Sequence, residues 1–440
     1  MELPEKYLDK MRSLLKEEYE DYLDALEKPP LRGLSVNTLK ISCEEFERIF
    51  PFQIESVPWS ENGYYYFDDE VTKHPYYHAG LYYIQEPSAM LPASVLPVEE
   101  GDVILDGCAA PGGKSLQIAC RLRHSGVLIS NDLSVSRAQG LLHNIEKSGI
   151  RNAYVIAEDL LKLSERYLQS FDKILLDAPC SGEGMFRKDA GLIRSYAEKD
   201  SAYYAEIQKK LIVAASKMLK PGGQMVYSTC TFSEEEDEEV VAYLLKEKSD
   251  MHVEEINGIS GVENCHSKRL QEALKVFPHQ LKGEGHFICL LKKDGVSAEK
   301  ERREQPLNLD DPFFDHIQKG FLHGTLMKNK DSLFLLPEEV WDTKGIRTLR
   351  SALLLGEENK YGFIPSQHLA ASLRKEDFDA CIVFEADDPR VMKYLKGETV
   401  QVDSRLSGWV LICVESYPLG FGKIADGVVK NKIRAGSRVQ

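Results

Sequence analysis

The sequence predicts an α/β protein built around a doubly wound, Rossmann-like parallel sheet. Two observations point there. Between about residues 100 and 295, short apolar runs alternate with amphipathic helical stretches, the pattern of strands covered on both faces by helices. At an early junction, "LDGCAAPGGKS" (105–115) sets a glycine turn between a strand and a helix, where backbone N–H groups can meet a ligand. The flanks read differently. Residues 1–98 suggest an α+β module of ferredoxin or RRM-like type, 296–308 a hydrophilic linker, and 309–440 a mixed carboxy-terminal module.

The opening "MELPEKYLDKMRSLLKEEYEDYLDALEK" is charged and heptad-like, a helix rather than a leader peptide. "LRGLSVNTLK" reads as a strand. Seven of the twenty tyrosines fall between Tyr64 and Tyr83, where ordinary packing is the expected role. In the core, "DVILDGCAAPGGKSLQIACRL" is strand, turn and helix, and "GVLISNDLSVSRAQGLLHNIEKSG" repeats the plan. "AYVIAEDL", "FDKILLDAPC" and "GGQMVYSTC" supply further strands. "SAYYAEIQKKLIVAASKMLK" is an amphipathic helix closed by "PGG". "GHFICLLKK" adds a strand expected to run antiparallel at the sheet edge. The chain ends in a segment with Lys423, Lys430, Lys432, Arg434 and Arg438 against one Asp426, which suits a solvated tail and an RNA-contacting patch equally well.

Composition narrows the classes. No apolar stretch approaches the ~18 residues of a membrane span, and a cytoplasmic protein is expected. The nine cysteines are spread over the chain without a CxxC pair, against a disulfide framework, a zinc ribbon or a thiol-redox protein; no metal is expected. The net charge of −15 argues against a generic, charge-driven nucleic-acid binder and leaves only local basic patches for that role.

The glycine turn is not a P-loop, because five residues rather than four separate Gly107 from "GKS". Gly112 and Gly113 remove side chains where a ligand must approach the backbone. Asp132 ends the next strand, Asp159 the third and Asp177 the fourth. Each alone suits a helix cap or a turn. Together, on the side where open α/β sheets bind ligands, they indicate a nucleoside-bearing cofactor with little need for phosphate contacts. S-adenosylmethionine fits that description.

Two thiols stand at strand ends: Cys180 in "DAPCSGEGMFRK" and Cys230 in "GGQMVYSTCTF". A reactive thiol, a metal site and plain packing are all open on spacing alone. Cys120, Cys289 and Cys413 sit in apolar surroundings and read as core. In "SEEEDEEVV", Ser233 and Glu236 suggest a capping box at a helix start.

"CAAPGGK", "DAPCSGEG" and "YSTCT" together resemble the NOL1/NOP2/Sun family of S-adenosylmethionine-dependent RNA cytosine-5 methyltransferases. The resemblance covers residues 100 to 295, with weaker support from "RGLSVNTLK", "YIQEPSAM" and "FPHQLKGEGHF". It implies a class I methyltransferase core and a carboxy-terminal PUA-like module. Within the family the chain looks like the bacterial branch acting on 16S ribosomal RNA. The resemblance implies Cys230 as nucleophile, Cys180 as the thiol assisting product release, and Asp177 at the pyrimidine edge. It further implies that Cys108, Ala109, Ala110, Pro111, Gly112, Gly113 and Lys114 cradle the methionine part of the cofactor. Asp132 would hold the ribose, Asp159 the adenine amino group, with Arg137 in support. Arg187, Lys188 and Arg194 are expected to bring positive charge beside the target base. A monomer is expected. The alternatives are a transfer-RNA cytosine-5 methyltransferase, a non-catalytic ribosomal-RNA assembly factor, and a DNA-type cytosine methyltransferase with Cys180 as nucleophile.

Overall fold

A computed structural model of the chain describes residues 3–297, 309 and 311–439, apart from 197, 319 and 338. The linker expected over 296–308 lies almost wholly outside the described residues. Among them, no helix is long and apolar enough to cross a membrane, and no group of His, Cys, Asp or Glu is placed to hold a metal ion.

Two helices, Glu5–Leu15 and Tyr19–Glu27, open the chain. Tyr7, Met11, Leu15, Tyr19 and Tyr22 recur at three- and four-residue spacing and are buried on one face. That face packs on Phe186, Tyr196, Phe232 and Phe277, which belong to the central domain rather than to the amino-terminal sheet. The sheet follows: β1 (Gly33–Val36), β2 (Ile54–Ser56), β3 (Gly63–Tyr66) and β4 (Tyr82–Ile84), antiparallel in the order β2-β3-β1-β4. Helices Cys43–Ile49 and Pro75–His78 complete a β-α-β-β-α-β plan, the ferredoxin-like arrangement. Tyr64, Tyr65, Tyr66, Tyr76 and Tyr82 are buried, so most of the tyrosine cluster is packing.

The central sheet carries β5 (Val103–Asp106), β6 (Val127–Asn131), β7 (Ala153–Ile156), β8 (Phe171–Asp177) and β9 (Leu219–Thr229), all parallel, in the order β9-β8-β5-β6-β7. The strand order reverses at β5. Ligands of such sheets bind beyond the carboxyl ends of the strands at that reversal. Beyond β9 come β10 (Met251–Glu254), β11 (Leu274–Val276) and β12 (His286–Lys293). β12, expected at the edge, lies inside the sheet: it runs antiparallel between β9 and β10, and β10 takes the edge. Its almost unbroken burial fits the inner place.

The region 309–440 builds two further sheets rather than one. β13 (Thr325–Asn329), β14 (Ser332–Leu336), β16 (Leu353–Asn359) and β17 (Gly362–Pro365) form the first. β18 (Cys381–Phe384), β19 (Val400–Gln401), β20 (Gly408–Val414), β21 (Tyr417–Ala425) and β22 (Val428–Asn431) form the second. The remaining strand, β15 (Thr348–Ser351), leaves this region and pairs antiparallel with β7, covering the other edge of the central sheet. Arg350 on β15 forms an ion pair with Glu146, and His368 Nε2 donates to Ile150 O at 2.8 Å. The carboxy-terminal region is thus joined to the core by polar contacts as well as by a strand.

Candidate active site

β5 ends at Asp106, and the glycine turn carries the chain into helix Gly113–Leu122. Gly112 caps that helix with φ of 118°, a conformation that L side chains rarely adopt. A Cβ at Gly113 would stand 2.9 Å from Tyr83 Cε1 and 3.0 Å from Gln85 Cδ, so the amino-terminal module closes directly on the turn. Helix Val135–Ser148 holds the turn from its other side: Arg137 Nη2 donates to Ala110 O and Asn144 Nδ2 to Pro111 O, each at 2.8 Å. Not every N–H of the turn faces a ligand. Ala109 N donates to Asn131 O at 2.7 Å, which ties the turn to β6. Burial, with Asp106 and Asp177 nearby, pushes the Cys108 thiol far up.

The acids occupy distinct environments. Asp106, which the sequence reading passed over, is fully buried; Ser115 Oγ donates to its Oδ2 at 2.7 Å, and Oδ1 has no hydrogen-bond partner. Burial, reinforced by Asp177 and Asp132, pushes this carboxyl up to about 7. Asp132 lies just past β6 and is buried; its Oδ1 accepts from Ser134 N at 2.9 Å, and its Oδ2 faces Arg137 Nη2 at 3.3 Å. Asp159 is exposed and caps helix Leu160–Arg166 by accepting from Leu161 N at 2.9 Å. Asp177 ends β8, with Lys114 Nζ 2.8 Å from its Oδ2 and Ser228 Oγ donating to its Oδ1 at 2.7 Å. Burial opposes the charge of Asp177, but Lys114 beside it holds its carboxyl well below the usual range. Burial likewise opposes the charge of Lys114, and Asp177, Asp106 and Cys230 together raise it above its ordinary value.

These residues fit a nucleoside carrying positive charge. Asp132 offers a buried carboxylate where a ribose would lie, Asp106 leaves a buried oxygen unpartnered, and Asp106, Asp132 and Asp177 stand against Lys114 and Arg137. Phosphates would meet repulsion in that field, whereas a sulfonium would be drawn into it.

The two thiols meet. Cys180 lies in the loop after β8 and Cys230 directly after β9, and their sulfurs are 3.2 Å apart. The contact with Cys230, added to burial, drives the Cys180 thiol well up, and either sulfur can donate across the contact. Glu236 joins both loops. Its carboxylate accepts from Ser181 Oγ, from Ser181 N at 3.0 Å and from Gln208 Nε2 at 2.9 Å, and Thr231 Oγ1 donates to it at 3.4 Å. Burial pushes the Glu236 carboxyl up to about 7 against those donors. This corrects the expected capping box: the helix begins at Glu238, and Glu236 turns inward to hold the residues that follow each cysteine.

Arg187 also departs from expectation. Both Nε and Nη2 donate at 2.9 Å to the buried carboxylate of Glu284, and Nη1 donates to Ala25 O at 2.6 Å. It fastens the amino-terminal helices to the site and has no charge to spare for a substrate; Lys188 and Arg194 remain exposed. Lys10 makes a second tie to buried Glu183, whose Oε2 accepts from Phe232 N at 3.2 Å. A further residue, His286 at the start of β12, places Nε2 3.8 Å from Asp177 Oδ1. Its signal was the "GHF" of the exit segment, which carries no chemistry without the fold. A cleft of about 1640 Å³ lies away from the thiols between the three regions, lined by Lys40, Trp59, Arg121, Arg151, Arg374 and Tyr417.

A family model described as 16S rRNA methyltransferase RsmB/F matches residues 93–292. Models for the N-terminal domain of 16S rRNA methyltransferase RsmF (3–87), the RsmF rRNA methyltransferase first C-terminal domain (312–373) and the methyltransferase RsmF PUA domain (381–439) match the rest, and the last two divide where the two carboxy-terminal sheets divide. Ribosomal RNA small subunit methyltransferase F of Vibrio vulnificus (strain YJ016) is 31% identical over 458 residues, covering 98% of this chain and 96% of that relative. The Erwinia tasmaniensis protein of the same name is 31% identical over 461 residues, covering 97% and 95%. Among solved structures, a methyltransferase homolog protein from Pyrococcus horikoshii superposes with a TM-score of 0.57 at 30% identity, covering 65% of this chain and 93% of that one. NSun6 from Pyrococcus horikoshii with SFG shares the fold, with a TM-score of 0.58 at 24% identity over 67% and 99%. Aligned along almost its whole length and matched in every region, the chain belongs to the ribosomal RNA small subunit methyltransferase F family of S-adenosylmethionine-dependent RNA methyltransferases.

Proposed function

We propose that the protein methylates carbon 5 of cytosine in 16S ribosomal RNA through a covalent adduct on Cys230. The observation that carries this reading is the thiol pair, 3.2 Å apart, beside the Lys114–Asp177 ion pair at the ends of β8 and β9. Carbon 5 of cytosine is too weak a nucleophile to take a methyl group unaided. Addition of the Cys230 thiolate to carbon 6 turns the ring into an enamine that is nucleophilic at carbon 5. The ring adds the thiolate with N3 protonated, so that no negative charge is left on it, and Asp177, ionised and fixed by Lys114 and Ser228, accepts from that N3–H and holds its proton in place. S-adenosylmethionine supplies the methyl group as an electrophilic carbon on sulfur; the glycine turn, Asp132 and Asp159 would hold it, and Arg137 braces the turn. Once carbon 5 is methylated, its proton passes to solvent, the ring double bond re-forms and Cys230 departs as thiolate. Cys180, whose thiol is pushed well up at hydrogen-bonding distance, then donates to the leaving sulfur and stabilises it.

The target base must leave its stack to reach the two sulfurs. The amino-terminal sheet, which closes on the glycine turn, and the PUA region support RNA bound by shape rather than by bulk charge. Bisulfite sequencing of 16S ribosomal RNA, with and without the enzyme, tests the reading. A cytosine protected only when the enzyme is present is the expected result; protection confined to transfer RNA would replace the substrate.

A further inference from the structure

His286 occupies a place in the site that the chemistry above leaves unused. The ladder pairs Asp177 with Ser228 across β8 and β9, and Ser228 with Ile288 across β9 and β12. Side chains alternate along a strand. Cys230, two residues after Ser228, and His286, two before Ile288, therefore share one face of the sheet with Asp177. His286 is buried, and its Nε2 has no hydrogen-bond partner.

The surroundings set its proton. Ser88 Oγ donates to Glu86 Oε2, and Ser88 Oγ also accepts from Gly285 N at 3.1 Å. Glu86 is an acceptor fixed by Ala89 N at 2.8 Å and Glu284 N at 3.0 Å. The Ser88 hydrogen is thus committed to Glu86, and the oxygen faces His286 Nδ1 at 3.4 Å as an acceptor. That contact favours the tautomer with the proton on Nδ1 and a lone pair on Nε2. Nε2 and Asp177 Oδ1 are then two acceptors 3.8 Å apart, with nothing donated between them. Such a pair is complementary to cytosine protonated at N3, whose N4 amino group and N3–H are adjacent donors on one ring edge.

We propose that His286 reads the exocyclic amino group of the target cytosine, beside the N3 contact of Asp177, and so selects cytosine over uracil. Cytosine presents an N4 amino donor there. Uracil presents the O4 acceptor, which would face the lone pair of Nε2 and leave both groups unpaired in a buried site. The assignment rests on the covalent reading given above, and its test separates the two.

The probes are 16S ribosomal RNA fragments with 5-fluorocytidine or 5-fluorouridine at the position mapped by bisulfite sequencing. Fluorine cannot leave carbon 5 as a cation, so the adduct persists through denaturing electrophoresis whatever removes the proton in normal turnover. The full-length enzyme is expected to trap fluorocytidine RNA far faster than fluorouridine RNA. His286→Phe, which keeps the ring shape without nitrogen, should lower that preference about tenfold, the loss of one buried hydrogen bond. His286→Gln, whose amide oxygen restores an acceptor, should recover most of it. Ser88→Ala, which frees the tautomer, should lower it by less and serves if His286→Phe does not fold. An unchanged preference in folded His286→Phe, or in Ser88→Ala where His286→Phe does not fold, overturns the proposal. Wild-type trapping of fluorocytidine RNA by His286→Phe, combined with lost turnover on ordinary cytosine, overturns it too and makes His286 the acceptor of the carbon 5 proton. Absence of any adduct with the wild-type enzyme sinks the covalent reading itself, and this assignment with it.

Discussion

Cys180 and Cys230 are fifty residues apart in sequence, yet their sulfurs lie 3.2 Å apart, and burial with that contact pushes the Cys180 thiol well up. That asymmetry separates their roles. Cys230→Ala should abolish methylation and form no RNA adduct. Cys180→Ala should still attack and methylate but stall at elimination, leaving enzyme joined to methylated RNA through Cys230. Denaturing electrophoresis reads the difference, since a carbon–sulfur bond survives unfolding. Under the DNA-type assignment the adduct would form with Cys230→Ala and not with Cys180→Ala.

Glu236 holds the residues that follow both cysteines. Glu236→Ala would leave the Ser181 N–H, the Ser181 hydroxyl and Gln208 Nε2 without their acceptor. Unsatisfied buried groups of this kind cost about 1–3 kcal/mol. The variant should melt at lower temperature and form the RNA adduct more slowly, while calorimetry shows unchanged affinity for S-adenosylmethionine. A parallel loss of cofactor affinity would mean that the collapse extends beyond the thiol loops.

Asp132 is a buried acid, proposed to hold the cofactor's ribose. Asp132→Ala should weaken S-adenosylmethionine binding by about 1.5–3 kcal/mol, roughly ten- to a hundredfold, with the fold retained. Unchanged affinity by calorimetry removes Asp132 from the cofactor site.

Asp106 gives a pH signature. Its carboxyl is pushed up to about 7 in the folded protein, above an unfolded value of about 4. Between those values the folded chain holds a proton that the unfolded chain has released, so this group makes stability fall as pH rises from about 4 to about 7. Asp106→Asn removes that proton exchange. Urea midpoints measured from pH 5 to pH 8 should decline less steeply for the variant than for the wild type, and a steeper decline would contradict the assignment.

The basic end of the chain is narrower than its composition suggests. Arg434 lies 3.4 Å from Glu357, and Arg438 donates to Ile433 O. Lys423 and Lys432 stand 5.8 and 6.0 Å from the ring of Trp409, with Lys430 opposite Lys423 in the ladder. Replacing Lys423, Lys430 and Lys432 with Glu should weaken RNA binding and flatten its salt dependence, because fewer counterions are released. Equal slopes for variant and wild type would make this cluster a solvated face.

Local pattern sufficed wherever one strand and its following turn define a feature. The alternation of apolar runs and helices, the glycine turn and the acids at strand ends are all contiguous signals, and so the Rossmann-like core and the cofactor were legible in the sequence by itself. The thiols were legible as candidates too, each standing at a strand end in a short segment. What joins separate strands was not. Nothing local brings Cys180 to Cys230, turns Glu236 away from its helix toward Ser181, or spends Arg187 on Glu284. Nor does any local signal put His286 opposite Asp177, or send β15 out of its own region to cover β7. Each of these depends on strand order and register, which long-range burial decides: only when β8, β9 and β12 lie side by side do their ends become one site.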